Sequence, residues 1–175
     1  MDEKVSRPIG PEPDADFVIA RVLRAPRERV FRAFTDPADM KRWWGPRGFS
    51  VAGAKMDLRP GGSYHYALHA PDGAVLWGKF IYREIVPPQL LVYINAFSNA
   101  AGELARHPLS PTWPLELLTT LSFDEHVEGT LLALRWSLLP EATDEERQTF
   151  DRSHDSMETG WSGTLDQLAA FVESV

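Results

Sequence analysis

The five histidines are the first residues to consider for chemistry, because imidazole serves both as a metal ligand and as a general base. His65 and His69 are four residues apart in a predicted strand, which places them on one face but about 13 Å from each other, too far to share one ion. The others, His107, His126 and His154, are scattered over a predicted loop, turn and helix, and the chain has no cysteine. We therefore predict that the protein holds no metal ion.

Other kinds of reactive site are also missing from the sequence. Nucleophilic catalysis needs a serine or threonine beside a base that a third group orients, and no such arrangement is recognisable. The pair Gly61-Gly62 is too short for a phosphate-binding loop and lacks its following helix. The formal net charge of -7 opposes attraction to nucleic acid or anionic membranes. We assign no catalytic residue and no cofactor, and we expect neither a nucleic-acid partner nor a membrane partner.

Aromatic residues carry more information, because a buried Tyr or Trp brings a hydroxyl or N–H that must find a partner. Their positions on predicted strands are typical of an ordinary core and also of a ligand cavity. His154, on the apolar side of a predicted helix, is either a core histidine bonded to backbone or a polar group at a cavity mouth. The candidates for lining a cavity are Trp43, Trp44, Tyr64, Tyr66, Trp77, Tyr93, His154, Met157 and Trp161.

The elements that must position these residues begin with a strand, Phe17 to Leu23, and a short helix, Pro26 to Phe34. Asp36 and Pro37 predict the start of a second short helix, which must stop at Trp44-Gly45-Pro46. Turn sequences rich in Pro, Gly and Asp then separate six further runs of aromatic and branched residues, which indicates an antiparallel meander. These runs are Phe49 to Met56, Ser63 to His69, Ala74 to Ile85, Leu90 to Phe97, Leu115 to Phe123 and Thr130 to Leu138.

A long C-terminal helix is predicted from Thr143 onward, since Thr143-Asp144-Glu145-Glu146 has the pattern of a capping box. Apolar residues recur at helical spacing from Phe150 to Val172, so one face of the helix should be buried. We expect Trp161, at the centre of that face, to be buried on the side facing the sheet. The segment Ser98 to Pro114 is long for a hairpin, and we predict that it covers the cavity.

The length of 175 residues suits one domain. Residues 1–15 are polar and rich in proline and are predicted to form a flexible tail, which leaves residues 16–175 as a single α+β domain. No apolar run approaches the roughly 18 residues of a membrane span, and the N-terminus lacks the apolar stretch of a signal peptide. We expect a cytoplasmic protein, and the sequence leaves homodimerisation open.

A set of short motifs extends this interpretation: Ala25-Pro26, Val30-Phe31, Thr35-Asp36-Pro37, Trp43-Trp44-Gly45-Pro46, Pro60-Gly61-Gly62, Pro71-Asp72-Gly73, Glu84-Ile85-Val86-Pro87-Pro88 and Met157-Glu158-Thr159-Gly160-Trp161. In order and spacing they resemble the activator of heat-shock protein 90 ATPase homologue family, Aha-type or CalC-like, of the START-like (SRPBCC) superfamily. The resemblance runs from about Asp16 to Val175. It implies a helix-grip (START/Bet v-like) fold, in which a curved seven-stranded antiparallel sheet surrounds a long C-terminal helix and two short helices follow the first strand.

The superfamily implied by this resemblance includes lipid carriers, polyketide cyclases, self-sacrificing resistance proteins and co-chaperone domains, so fold alone does not decide function. The leading hypothesis is a binding module that holds a small apolar molecule between sheet and C-terminal helix, with Trp43 and Trp44 near the opening. The second is a cyclase or aromatase-type enzyme, in which His154 or Tyr66 moves a proton in the same cavity. The third is a stress-response module with a chaperone partner, which should expose an apolar patch.

Overall fold

The computed structural model describes residues 15–174, and its centre is one seven-stranded antiparallel sheet of order β1-β7-β6-β5-β4-β3-β2. The elements are β1 (Phe17–Leu23), α1 (Arg27–Thr35), α2 (Pro37–Trp43), β2 (Ser50–Met56), β3 (Ser63–His69), β4 (Val75–Val86), β5 (Leu90–Ser98), β6 (Leu117–His126), β7 (Gly129–Leu138), α3 (Asp144–Arg152) and α4 (His154–Glu173). The predicted α+β fold, with seven strands and two short helices after the first, is confirmed. The predicted tail lies outside the described residues, apart from Ala15.

The second short helix ends where the sequence predicts, for local reasons. The Asp36 carboxylate accepts hydrogen bonds from the backbone N–H groups of Ala38, at 2.8 Å, and Asp39, at 3.4 Å, and so caps α2. The bond from Ala38 is the largest of the contributions that together hold the pKa of Asp36 below its ordinary value. Helix α2 stops at Trp44, whose backbone is extended, and the next residue, Gly45, has a φ of 105° that favours glycine.

The C-terminal helical region is interrupted, which corrects the prediction that the long helix begins at Thr143. The Thr143 hydroxyl accepts from the Glu146 N–H at 3.2 Å and caps α3, but α3 ends at Arg152 and α4 begins at His154. Ser153 lies between them with a ψ of 3°, and its hydroxyl donates to the Thr149 carbonyl at 2.6 Å. A serine side chain that bonds its own helix backbone often bends the helix. The long helix is therefore α4.

Helix α4 packs against one face of the sheet, which we call the inner face. The residues that it buries are Met157, Trp161, Thr164, Leu165, Leu168 and Val172. Trp161 is only 7% exposed and contacts the rings of Trp44 and Trp136, at centroid distances of 5.8 and 5.5 Å, which confirms its predicted burial. No helix among residues 15–174 has both the length and the apolar character needed to cross a membrane.

The connection between β5 and β6, residues 99–116, is the covering loop, and α3 holds it in place. The Glu146 carboxylate accepts a hydrogen bond from the Leu115 N–H at 2.9 Å and pairs with Arg106 at 3.4 Å. A second bond joins the hydroxyls of Thr149 and Thr112 at 2.8 Å. The loop is thus fastened to α3 by polar contacts around a buried carboxylate.

Glu146 gives a test of this attachment. Burial disfavours its charged form, but the Leu115 N–H, the Arg106 guanidinium and the Thr143 hydroxyl outweigh burial and hold its pKa below the ordinary value. Because the pKa is lower in the folded than in the unfolded state, the stabilisation is present above the ordinary pKa of 4.5 and is lost as the pH falls through the folded-state value. Glu146→Ala should reduce the free energy of unfolding by about 1.5–3 kcal/mol at pH 7.

The measurement is denaturant unfolding from pH 7 to pH 3. Glu146→Gln should show a stability deficit at pH 7 that shrinks on acidification, because the parent carboxyl then also loses its charge. Glu145→Gln, which is exposed on the same turn, is the control and should show little deficit. A Glu146→Gln deficit of the same size at both ends of the pH range would contradict the assigned role.

Candidate functional site

A cavity of about 530 Å³ lies between the inner face of the sheet and α4. This volume is within the about 300–1,000 Å³ typical of small-molecule sites. Strands β3, β4, β5 and β7, helix α4, the covering loop and the segment after α2 all contribute to its wall. The lining residues are Trp44, Gly45, Pro46, Phe49, Tyr66, Leu68, Leu76, Trp77, Gly78, Phe80, Tyr93, Asn95, Phe97, His107, Ser110, Trp113, Trp136, Ser153, Ser156, Met157, Gly160, Trp161 and Thr164.

None of these lining residues is an acid, a lysine or an arginine. His107 is the residue among them whose side chain could become a cation near neutral pH. Burial lowers the pKa of its imidazole below the ordinary 6.5. Its imidazole is therefore mostly neutral at pH 7, and its Nδ1 accepts the Leu109 N–H at 3.0 Å. The wall of the cavity consequently carries almost no formal charge at neutral pH.

A row of four tryptophans forms much of the wall. Trp44 contacts Trp161, Trp161 contacts Trp136, and Trp136 contacts Trp113, with ring centroids 5.8, 5.5 and 6.1 Å apart and the rings edge to face. Edge-to-face packing of this kind is a favoured arrangement of aromatic rings. The four rings come from the end of α2, from α4, from β7 and from the covering loop, so the row joins every layer around the cavity.

Tyr66 lies across a glycine on the neighbouring strand. Tyr66 pairs with Gly78 in the β3–β4 register, and a Cβ atom on Gly78 would be 2.4 Å from the Tyr66 hydroxyl oxygen. The absence of a side chain at Gly78 is thus what allows the phenol to lie there. Burial raises the pKa of Tyr66 to about 12, and the approach of the Trp44 indole N–H, short of full hydrogen-bond geometry, offsets part of the rise. Tyr66 therefore stays protonated at neutral pH.

Asn95 is the amide of the cavity wall. Its Oδ1 accepts the Thr119 hydroxyl at 2.5 Å, while its amide nitrogen has no partner among the described residues. This nitrogen is not fully enclosed by protein atoms, so it is open to the cavity that Asn95 lines. Tyr93, on the same strand, stacks on Phe80 with centroids 4.0 Å apart, and burial raises its pKa well above the ordinary value.

Six of the nine predicted cavity residues are in the wall: Trp44, Tyr66, Trp77, Tyr93, Met157 and Trp161. Trp77 borders the cavity, but its ring stacks on His65 with centroids 5.0 Å apart. Residue alternation along β3 places His65 on the face opposite to Tyr66, so the Trp77 indole belongs mainly to the outer face. His65 also contacts the covering loop, with Nε2 3.1 Å from the Asn99 carbonyl oxygen.

The other three predicted residues lie outside the wall, and each has a physical reason. Trp43 is 2% exposed and donates its indole N–H to the Ala33 carbonyl at 2.8 Å, which directs it towards α1 and away from the opening. Tyr64 is fully buried in the core, stacked on Tyr66 with centroids 5.0 Å apart. His154 packs between the rings of Phe17 and Phe150, because the helix restarts at this residue.

Several wall residues were not identified from the sequence. His107 and Trp113 come from the covering loop, where no periodicity indicates which side chains turn inwards. Trp136 could have been found, because it alternates with the buried residues Leu132 and Leu134 along β7. Asn95 follows Tyr93 on the same face of β5 by the same rule. The alternation of strand residues indicates which face these two side chains are on. It does not show that a tryptophan or an amide near the end of a strand lines a cavity.

The opening of the cavity is on the side of α4. The wall residues Pro46, Ser156 and Gly160 are exposed, so the mouth lies between α4 and the segment that follows α2. A Cβ atom on Gly160 would meet no other atom within 4 Å, which shows open space in front of the helix there. The neighbouring α4 residue Gln167 donates a short hydrogen bond to the Gly45 carbonyl and ties the two sides of the mouth together.

A curved antiparallel sheet that holds a C-terminal helix around an apolar cavity defines a protein of the START-like, helix-grip class. Within that class, comparison with family models gives a match over residues 24–173, to the activator of Hsp90 ATPase homolog 1-like proteins. The chain belongs to this family. The predicted family and fold are therefore both confirmed.

Solved structures from bacteria share the fold. A Chromobacterium violaceum protein is 28% identical, with a TM-score of 0.69 over 92% of this chain and 99% of its own. Proteins from Nitrosomonas europaea and Mycobacterium smegmatis are 21% and 22% identical, with TM-scores of 0.71 and 0.73. Each covers 93% of this chain, over 96% and 93% of their own lengths respectively. The comparison with curated proteins gave no match.

The contact between Tyr66 and Gly78 yields a stability prediction. Gly78→Ala should push the Tyr66 ring out of its position and cost about 1–3 kcal/mol, as overpacking does in a filled interior. In a Tyr66→Ala background the added methyl group meets no ring, so the same change should cost clearly less. A double-mutant cycle by denaturant unfolding measures this coupling. Equal costs in the two backgrounds would show that the phenol does not depend on Gly78.

Proposed function

We propose that the protein binds a small, uncharged and largely apolar molecule in the cavity between the sheet and α4. The observation that carries the proposal is the wall itself, which combines a volume of about 530 Å³ and an aromatic lining with no acid, lysine or arginine. Packing alone does not account for such a space, since protein interiors leave few voids larger than a water molecule. A helix-grip fold in a family that commonly binds ligands supports the same conclusion.

The electrostatics of the wall favour a neutral ligand. An ion transferred from water into a site without a counter-charge loses hydration that nothing replaces. The acids of α4 near the mouth, Asp155 and Glu158, are exposed and line a separate surface depression, not the cavity. Aromatic rings in the wall instead offer flat apolar surface, which suits a molecule with rings or an unsaturated chain.

The enzyme hypothesis gains less support from the residues proposed to move a proton. His154 lies between phenylalanine rings outside the cavity wall. Tyr66 is in the wall, but a pKa of about 12 makes its hydroxyl a hydrogen-bond donor, not a general base, at neutral pH.

The interaction-module hypothesis calls for a contiguous apolar patch. Among residues 15–174 the large exposed apolar residues are Val18, Leu58, Val75, Val86, Leu104, Leu109 and Val127, which come from β1, the two ends of β4, the covering loop and two turns.

Two glycines of α4 allow a matched test of ligand binding. Gly160 is exposed and Gly163 is half-buried, and a Cβ atom at either position meets no atom within 4 Å, but only Gly160 lines the cavity. Gly160→Phe should place a ring in the mouth, whereas Gly163→Phe should leave the cavity open. Both variants should fold at least as well as the parent, because a glycine inside a helix costs roughly 0.5–1 kcal/mol relative to alanine.

The measurement is fluorescence titration with the uncharged probe N-phenyl-1-naphthylamine. The parent and Gly163→Phe should bind it with similar affinity, and Gly160→Phe should bind it at least about tenfold more weakly, the equivalent of roughly 1.4 kcal/mol. Thermal unfolding of all three proteins checks that they are folded. Equal binding by the two phenylalanine variants, or no binding by the folded parent, would overturn the proposed function.

A further inference from the structure

Two side chains in the strands of the wall hold hydrogen-bond donors that are open to the cavity and have no acceptor among residues 15–174. One is the Tyr66 hydroxyl, which lies over Gly78 and donates to no described residue. The other is the amide nitrogen of Asn95, likewise without a partner among residues 15–174. The indole N–H groups of Trp44 and Trp136 are also unpartnered but fully enclosed. No carboxylate lines the cavity to receive them. Polar groups inside proteins are almost always hydrogen-bonded, so unmatched donors in an apolar space point to an acceptor that comes from outside.

The strand register brings these two donors to the same part of the wall. Gly78 pairs with Phe97, and the adjacent inner-face residue Phe80 pairs with Asn95, so Asn95 is diagonal to Gly78 across the β4–β5 pair. Diagonal neighbours are about 7–8 Å apart, within reach of long side chains. Because the Tyr66 hydroxyl already lies above Gly78, it and the Asn95 amide flank one small region of the cavity.

The orientation of the Asn95 amide is fixed from behind. Its Oδ1 accepts the Thr119 hydroxyl at 2.5 Å, and Thr119 is fully buried on the neighbouring strand β6. Thr119 also interacts with the hydroxyl of Tyr93. With the oxygen of the amide held by Thr119, its NH₂ group is the part that faces the cavity. Both donors are therefore in place before a ligand arrives, which lowers the entropy cost of binding.

Resting on the proposed function, we infer that the Tyr66 hydroxyl and the Asn95 amide nitrogen together bind one carbonyl oxygen of an uncharged aromatic ligand. A carbonyl oxygen has two lone pairs and accepts two hydrogen bonds without carrying a charge. The rings of Trp44, Phe80 and Phe97 beside this point would contact the aromatic part. The ligand class is thus an aromatic ketone or related carbonyl compound, in preference to a pure hydrocarbon or a carboxylate.

The test compares three naphthalenes of similar shape: 2-acetylnaphthalene, its hydrocarbon analogue 2-isopropenylnaphthalene, and 2-naphthoate. Each is titrated as a competitor of bound N-phenyl-1-naphthylamine. The ketone should bind the parent at least about tenfold more tightly than the hydrocarbon, as one to two neutral hydrogen bonds allow. The carboxylate should bind most weakly. The carbonyl stretching band of bound 2-acetylnaphthalene should also move to lower wavenumber than in an apolar solvent.

Tyr66→Phe is the decisive variant, because it removes the hydroxyl and keeps the ring above Gly78. It should lower ketone affinity towards that of the hydrocarbon, leave hydrocarbon affinity unchanged and reduce the shift of the carbonyl band. Asn95→Leu should act in the same direction. Tyr82→Phe is the control, since the Tyr82 hydroxyl is enclosed away from the cavity, and it should change neither affinity.

The outcomes separate this inference from the proposed function. If both neutral naphthalenes bind the parent equally well, or if Tyr66→Phe keeps the preference for the ketone, the carbonyl site is wrong and ligand binding stands. If the ketone is preferred and the preference is lost in Tyr66→Phe but not in Tyr82→Phe, the site is supported. If neither the fluorescent probe nor any naphthalene binds the folded parent, the proposed function fails together with the inference.

Discussion

The packing of Trp161 against Trp44 and Trp136 is the interaction on which the rest of the structure depends. These rings lie between α4 and the sheet, at the level where the cavity is found. Large aromatic side chains hold a helix further from a sheet than aliphatic ones do, and their rigid edges leave space that they do not fill. Further along α4, Leu165, Leu168 and Val172 are buried directly in the core. The same helix therefore builds a cavity with its first half and a filled core with its second.

Much of this arrangement follows from simple sequence patterns. β1 and β3 match their predicted bounds, because alternation and turn residues specify a strand on both sides. The C-terminal helix shows where such patterns fail. Apolar spacing continues from Phe150 to Met157 as if one helix ran through, so it cannot reveal the break at Ser153. That break decides where His154 points, and the position of a side chain beside a helix break depends on tertiary contacts that no periodicity encodes.

The presence of a cavity could be predicted from the sequence, but several of the residues that form its wall could not. Strand tyrosines and the face of α4 indicate a cavity, and Tyr66, Tyr93 and Trp161 are found in its wall. The rest depends on groups whose role appears only in three dimensions. Gly78 matters because a phenol lies across it, and Asn95 matters because Thr119 turns its amide towards the cavity. The sequence alone does not show that a glycine or an asparagine in a strand has such a role.

The attachment of the covering loop to α3 has a consequence for the shape of the cavity. The bonds of Glu146 and Thr149 to the loop lie outside the cavity wall, so they contribute no direct contact to a bound molecule. Ser153, at the break between the two helices, is in the wall. The loop residues His107, Ser110 and Trp113 are also in the wall, so a change that loosens the loop from α3 would move part of the wall from a distance. The shape of the cavity is therefore set in part by Glu146 and Thr149, which do not line it.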